Sequence, residues 1–194
     1  MRWTRNWPFR AGQVVSLALV EGGPQRMYSL ATGSGQGEAG ILFNRVEAGE
    51  LTPSMAELEP GATVWVSEPF GSFPGSAGPA VWIATGTGVA PFLSMVLSGL
   101  GAGKTLIHGA RTLDSFYGQD LLAEHLGTGY VRCCTTEAAP GVFSGRLTRY
   151  LEAQPWTADR PYLLCGSAPM IVDVREILFR KGVPFRSILA EVFF

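Results

Sequence analysis

The chain has 194 residues, 46% hydrophobic and 16% charged, with a net charge of −1. That composition gives a globular protein enough core for one large domain or two small ones, and its balance carries no nucleic-acid signature. Three cysteines, two of them adjacent, make neither a disulfide framework nor the four-thiolate pattern of an iron–sulfur site, and the Arg- and Trp-rich start is not a secretory signal, so a reducing, cytoplasmic setting is expected.

Arg2, Arg5 and Arg10 open the chain with no carboxylate among them. Short apolar runs then alternate with Gly and Pro turns, and strands are predicted over 14–20, 27–31, 41–46 and 62–66. A short helix over 52–58, with Thr52 as cap, interrupts them. The pattern is that of a small antiparallel barrel. Within it, Arg26-Met27-Tyr28-Ser29 puts a cation, a ring and a hydroxyl on one strand; alternation sends Arg26 and Tyr28 one way and Ser29 the other.

Residues 71–79 are turn-rich and mark the expected boundary, giving domains 1–77 and 78–194. The stretch 69–103 carries no charge, but its glycines and Pro74, Pro79 and Pro91 break it too often for a membrane helix. From residue 80 onward strands and helices alternate. Strands are expected over 80–84, 105–108, 130–135, 162–165 and 187–190, and helices over 90–97, 115–126, 146–152 and 168–181. The last helix has Ser167 to cap it, Pro169 in its first turn, Gly182 behind it, and Met170, Ile171, Val174, Ile177 and Leu178 on one face. A parallel sheet between helices follows.

Thr85-Gly86-Thr87-Gly88-Val89-Ala90-Pro91 joins an apolar strand to a proline-opened helix, a backbone able to receive a pyrophosphate. Residues 99–105 only mimic a phosphate loop: Ser98 stands where its first glycine belongs, and the segment leads into a strand. His108 and His125 have no metal-spaced partners and read as structural or surface residues, so no metal site is expected. Cys165-Gly166 closes a strand, where the thiol is either core or, with a bare glycine beside it, the neighbour of a flat ligand. The chain ends Glu191-Val192-Phe193-Phe194.

These motifs, in this order, resemble the ferredoxin–NADP reductase family, particularly its compact bacterial members. Arg26-Met27-Tyr28-Ser29 matches its flavin motif. Gly49 to Pro53 is similar to its pyrophosphate turn, Pro69-Phe70-Gly71 to the end of its flavin domain, Ala84 to Phe92 to its nicotinamide-nucleotide loop, and Gly109-Ala110-Arg111 to the strand end after it. The resemblance implies FAD and NADP(H), with NAD(H) as the alternative donor. It implies that Tyr28 stacks on the flavin, that Arg26 and the N–H groups near Leu51 and Thr52 hold its pyrophosphate, and that Ser29 bonds near flavin N5. Phe193 or Phe194 covers the other flavin face; Cys165 and Glu191 border the nicotinamide. Thr85, Gly86, Thr87 and Gly88 receive the nucleotide.

Two features depart from the family. The chain begins about one strand late, which implies either an incomplete barrel or a truncated chain, and Thr135-Thr136 stands where many NADP-specific relatives have Ser-Arg, leaving Arg111 and Arg146 as phosphate partners. The implied activity is hydride transfer between NAD(P)H and FAD with single electrons passed to a separate carrier, ferredoxin or flavodoxin. Arg175, Arg180, Lys181 and Arg186 are a candidate dock for an acidic carrier. A flavin reductase or oxygenase reductase component is the enzyme alternative, and a degenerate nucleotide-binding module the non-enzyme one.

Overall fold

The computed structural model describes every residue except Pro74, Ser76 and Phe194, with Phe193 described by its backbone alone. Its first part contains β1 (Arg2–Thr4), β2 (Val14–Ala18), β3 (Arg26–Ser29), β4 (Glu38–Gly40), the short helix α1 (Thr52–Ala56) and β5 (Trp65–Val66). β2 is the centre of an antiparallel sheet ordered β3-β2-β5, and β1 pairs antiparallel with β4 in a second sheet. An isolated bridge between Leu30 and Ile41 links the two. Alternation on β2 turns Val15 and Leu17 fully inward, where they meet Leu30, Ile41, Leu51 and Met55. The expected barrel is thus two short antiparallel sheets around one core.

The strand expected over 41–46 is reduced to the Ile41 bridge. Beyond it the backbone is committed elsewhere: Val46 N–H donates to Thr52 Oγ1 at 3.0 Å, and Val46 C=O accepts from Gly49 N–H at 2.8 Å. For the same reason Thr52 does not cap α1. Leu51 holds the N-cap position, and the Thr52 hydroxyl is spent on the preceding loop.

The second part contains β6 (Ala80–Thr85), α2 (Ala90–Leu97), β7 (Lys104–Ala110), α3 (Gln119–Leu126), β8 (Tyr130–Cys134), β9 (Val142–Ser144), α4 (Leu147–Ala153), β10 (Tyr162–Ser167), α5 (Ala168–Arg180) and β11 (Ile188–Phe193). The strands form one parallel sheet ordered β11-β10-β6-β7-β8-β9. β6 is buried from Ala80 to Ala84 because both its faces are covered. Val81 and Ile83 pack with Leu151, Val174 and Leu178 of α4 and α5; Trp82 and Ala84 pack with Phe92 and Met95 of α2. The predicted inward stripe of α5 is buried in full. Residues 99–103 form the expected helix-to-strand loop. Among the described residues no helix is long and apolar enough to cross a membrane.

The chain runs outward from β6 through β7, β8 and β9, then returns to β10 on the other side of β6. That reversal opens a crevice at the carboxyl ends of the strands, the place where such sheets bind ligands. The antiparallel part is pinned beside it through α2. Ser94, fully buried, donates to the Thr32 carbonyl at 2.7 Å, and Ser98 Oγ accepts the Ser34 N–H at 2.9 Å. Ser94→Ala leaves a buried carbonyl without its donor and is expected to cost about 1–3 kcal/mol. Urea unfolding measures this; an unchanged midpoint would show that the Thr32 carbonyl does not depend on Ser94.

Candidate active site

The turn after β6 is a 3₁₀ segment, Gly86–Val89, running into α2 with Pro91 in the first turn. It packs against β10. A Cβ at Gly88 would lie 2.4 Å from the Cys165 carbonyl oxygen, so only glycine lets the turn settle there. Gly166 answers it with φ +149, and a Cβ there would lie 2.4 Å from Thr85 Oγ1 and 2.8 Å from Met170 Cε. The space that Gly166 frees is therefore occupied by Thr85 and Met170.

A cleft of about 580 Å³ lies over the carboxyl ends of the strands. Thr85 and Gly86 form part of its wall, Arg111 and Arg146 bring two exposed guanidinium groups, and Ser167 and Asp173 line the β10–α5 side. Arg111 follows β7 and Arg146 is the N-cap of α4, so two separate βα connections bring these cations to one cleft. The Arg111 carbonyl accepts from Thr136 N–H at 3.1 Å, Thr136 Oγ1 at 2.5 Å and Cys134 Sγ at 3.2 Å. Thr136 is thus turned back onto the scaffold.

At the junction of the two parts, Ser29 Oγ donates to Glu191 Oε2 at 3.2 Å, and the Cys165 thiol approaches the same oxygen at 3.9 Å. Residues from β3, β10 and β11 meet at one carboxylate. Burial raises Glu191 above the ordinary carboxylate range, opposed by the bonds from Ser29 and Cys165. Burial also drives the Cys165 thiol well up, with the Glu191 charge adding to it. Cys165 has no exposed surface in this structure, so it sits in the core behind Glu191.

Arg26 and Tyr28 sit on β3 beside the start of α1, Tyr28 half-buried with its hydroxyl 3.5 Å from Met55 Sδ. Arg26 pairs with Glu50 at 3.0 Å, both more than half exposed. Leu51 and Thr52 begin α1, whose first-turn N–H groups lack helical acceptors by construction. Phe194 and the side chain of Phe193 lie outside the described residues, so the expected ring cover is carried by the resemblance alone. Sequence reasoning missed Tyr117 and Asn44, which line the cleft and join across it at 2.8 Å. Nothing in their local spacing signals that contact.

α5 runs away from Ser167, so Arg180 and Lys181 lie about 20 Å along its axis, at the opposite end of the strands from the cleft. They are also engaged: Arg180 pairs with Glu152, Lys181 donates to the Glu152 and Gln154 carbonyls, and Arg175 lies over Phe185. Arg5, near the other end of the chain, is spent on the Ser34, Gln36 and Trp7 carbonyls. Among the described residues no group of three or more His, Cys, Asp or Glu is placed to hold a metal ion.

No protein-family model matches the chain. Among curated proteins it is 34% identical over 206 residues to ferredoxin–NADP reductase B of Sorangium cellulosum, covering 94% of this chain and 84% of that one. It is 30% identical over 218 residues to the reductase component DmpP of phenol 2-monooxygenase from a Pseudomonas, covering 98% of this chain but 59% of that relative. Among solved structures, a ferredoxin NADP+ reductase from Neisseria gonorrhoeae with bound FAD and NADP shares the fold at a TM-score of 0.86 and 23% identity, covering 100% of this chain and 91% of that one.

The Glu191 environment has a measurable pH signature. A carboxyl whose folded pKa is raised above its unfolded value contributes stability that is present below the unfolded pKa and lost as pH climbs through the folded one. Glu191→Gln cannot ionise and escapes that loss. The stability of Glu191→Gln relative to the parent is therefore expected to improve as pH rises from the ordinary carboxyl value of 4.5 through the raised one. Urea titrations of both proteins across that window measure it, and a pH-independent difference would contradict it.

Proposed function

The chain belongs to the ferredoxin–NADP reductase family, and from that premise we propose that it is a flavin-dependent oxidoreductase moving hydride between NADP(H) and FAD and passing single electrons to a separate carrier such as ferredoxin or flavodoxin. Residues 1–77 are assigned to the flavin and residues 78–194 to the nicotinamide nucleotide. The observation that best supports the reading is the convergence of Ser29, Cys165 and Glu191 at the seam between those two regions.

The residues present fit both groups. Among the described residues the side-chain partner of the Arg26 fork is a surface carboxylate, a pair worth little in water, so the fork is available to a pyrophosphate. The N–H groups at the start of α1 join it. Tyr28 supplies a half-buried ring beside them. FAD, when bound, takes a hydride as an electron pair and releases the electrons singly. Ser29 would bond beside the reacting ring, while Glu191, with the buried Cys165 thiol behind it, would border the nicotinamide. Thr85, Gly86, Thr87 and Gly88 receive the dinucleotide phosphates, and Arg111 and Arg146 grip the 2′-phosphate in place of the cation that Thr136 does not supply. NADP(H) is therefore the assigned donor, with NAD(H) the alternative. All three cysteines are free thiols, which suits a reducing compartment, and we assign the protein to the cytoplasm.

A second reading, the reductase component of an oxygenase, is favoured by the likeness to the phenol 2-monooxygenase reductase component, of which this chain spans 59%. Both readings share the hydride half-reaction and differ in the electron acceptor. Turnover with ferredoxin or flavodoxin, compared with an oxygenase component, separates them.

Anaerobic addition of NADPH to the FAD-loaded protein is expected to bleach the flavin bands, and NADH to do so more slowly. Replacing Arg111 and Arg146 together with alanine removes two charge-assisted contacts and is expected to cut the NADPH preference about ten- to a hundredfold. A flavin that stays oxidised under NADPH would refute the activity. A preference unchanged in the double variant would refute the assignment of the arginines.

A further inference from the structure

Hydrogen bonds join the two parts of the chain at Ser29, Thr32 and Ser34, all at or just after the end of β3. The bond from the Tyr117 hydroxyl to Asn44 Oδ1, 2.8 Å long, takes hold of a different segment, and none of the roles above uses it. Tyr117 is firmly mounted. Phe116 before it is buried and meets His108 edge-on at 5.2 Å between centroids. Gly118 after it has φ +70, and a Cβ there would lie 2.5 Å from the Leu93 side chain of α2. A tyrosine held on both sides presents its hydroxyl at a fixed point.

Asn44 has no such mount. It is exposed, as are residues 45–48. The segment that it opens closes on itself and on α1. Val46 N–H donates to Thr52 Oγ1, Val46 C=O accepts from Gly49 N–H, and Arg45 pairs with Glu57, the residue after α1. Loop and helix are thus tied into one unit. Leu51 and Met55 anchor its helix in the core. Its loop is tied outward by the Arg26–Glu50 pair and, through Asn44, by Tyr117. The first tie is a surface ion pair, and its guanidinium is the group that a flavin pyrophosphate would claim. Once Arg26 turns to phosphate, Glu50 loses its partner, and the Tyr117–Asn44 bond is left to hold the loop.

We propose that Tyr117 is a positioning residue for the flavin: a side chain of the nucleotide part that, through Asn44, holds the loop ahead of α1 in place at the flavin pyrophosphate. The inference rests on the reading of Arg26 and the start of α1 as the pyrophosphate site. In this role Tyr117 acts through Asn44 and touches neither the phosphates nor the reacting atoms. Both parts of the chain then contribute to keeping the flavin bound.

The test is the rate at which FAD leaves the FAD-loaded protein on dilution, followed by the rise in flavin fluorescence, with the melting temperature of the flavin-free protein measured alongside. Tyr117→Phe and Asn44→Ala each remove one partner of the bond. Each is expected to speed FAD loss about three- to tenfold, the usual worth of one hydrogen bond, with little change in melting temperature. The double variant is expected to lose FAD no faster than either single one, because both changes remove the same contact. Effects that multiply in the double variant would mean two independent roles and would overturn the proposal. So would faster FAD loss that merely tracks a lower melting temperature of the flavin-free protein. If Asn44→Ala does not fold, Tyr117→Phe, which deletes a single oxygen, decides alone. A parent that holds FAD beside a Tyr117→Phe protein that releases it at the same rate would leave the pyrophosphate site standing and sink this role. A parent that binds no FAD would overturn the pyrophosphate site itself, and this role with it.

Discussion

Glu191 must find its hydrogen bonds across a seam between two sheets that share no strand. It sits on β11, an edge strand of the parallel sheet, yet its donors are Ser29 from the antiparallel part and Cys165 from the adjacent β10. A partly buried carboxyl without donors is costly, so this contact fixes how β3 stands against β10 and β11. The buried bond from Ser94 to Thr32 fixes the same relation from the side of α2. Together they hold the Arg26–Ser29 strand in front of the carboxyl ends of the parallel sheet. The pocket chemistry depends on that alignment more than on any single residue.

The same seam explains why the site is tight. Gly88 and Gly166 interlock the nucleotide turn with β10, leaving no room for a Cβ on either side. The turn therefore cannot slide along the sheet, and its backbone N–H groups hold their place relative to Glu191. The flavin side has a looser design. Arg26 pairs with Glu50 at the surface, and α1 is a single short helix whose N-terminus is set by the Thr52–Val46 bonds. A rigid nucleotide turn beside a more open flavin edge suits an enzyme in which two cofactors must meet at one point.

Much of this was legible in the residues, for physical reasons that differ from element to element. α2 falls on its expected bounds because Gly86 to Pro91 specify its start and Gly99 its end. The core face of α5 follows from its spacing. β1, β4 and β9 were not legible, since three residues are too few to show alternation and each exists only through its partner. The strand over 41–46 failed because loop hydrogen bonds to Thr52 and Gly49 outcompete a ladder. Of the candidate site, the fold brings Arg111 and Arg146 to one cleft, and Ser29, Cys165 and Glu191 to one another. The burial of Cys165 and the filling of the space beside Gly166 depend on Thr85 and Met170, which arrive from other elements. The cationic end of α5 lies away from the cleft, because a helix that follows a parallel strand carries its C-terminus away from the ligand end; charge in a sequence has no such direction.

The central claim is that flavin and nicotinamide meet at the Ser29–Cys165–Glu191 seam. A crystal structure with FAD and NADP+ bound tests it most directly. The account predicts the flavin ring against Tyr28, its pyrophosphate at Arg26 and the start of α1, and the nicotinamide within contact of Ser29 and Glu191. A nicotinamide bound elsewhere, with Glu191 still closed onto Ser29 and Cys165, would contradict it.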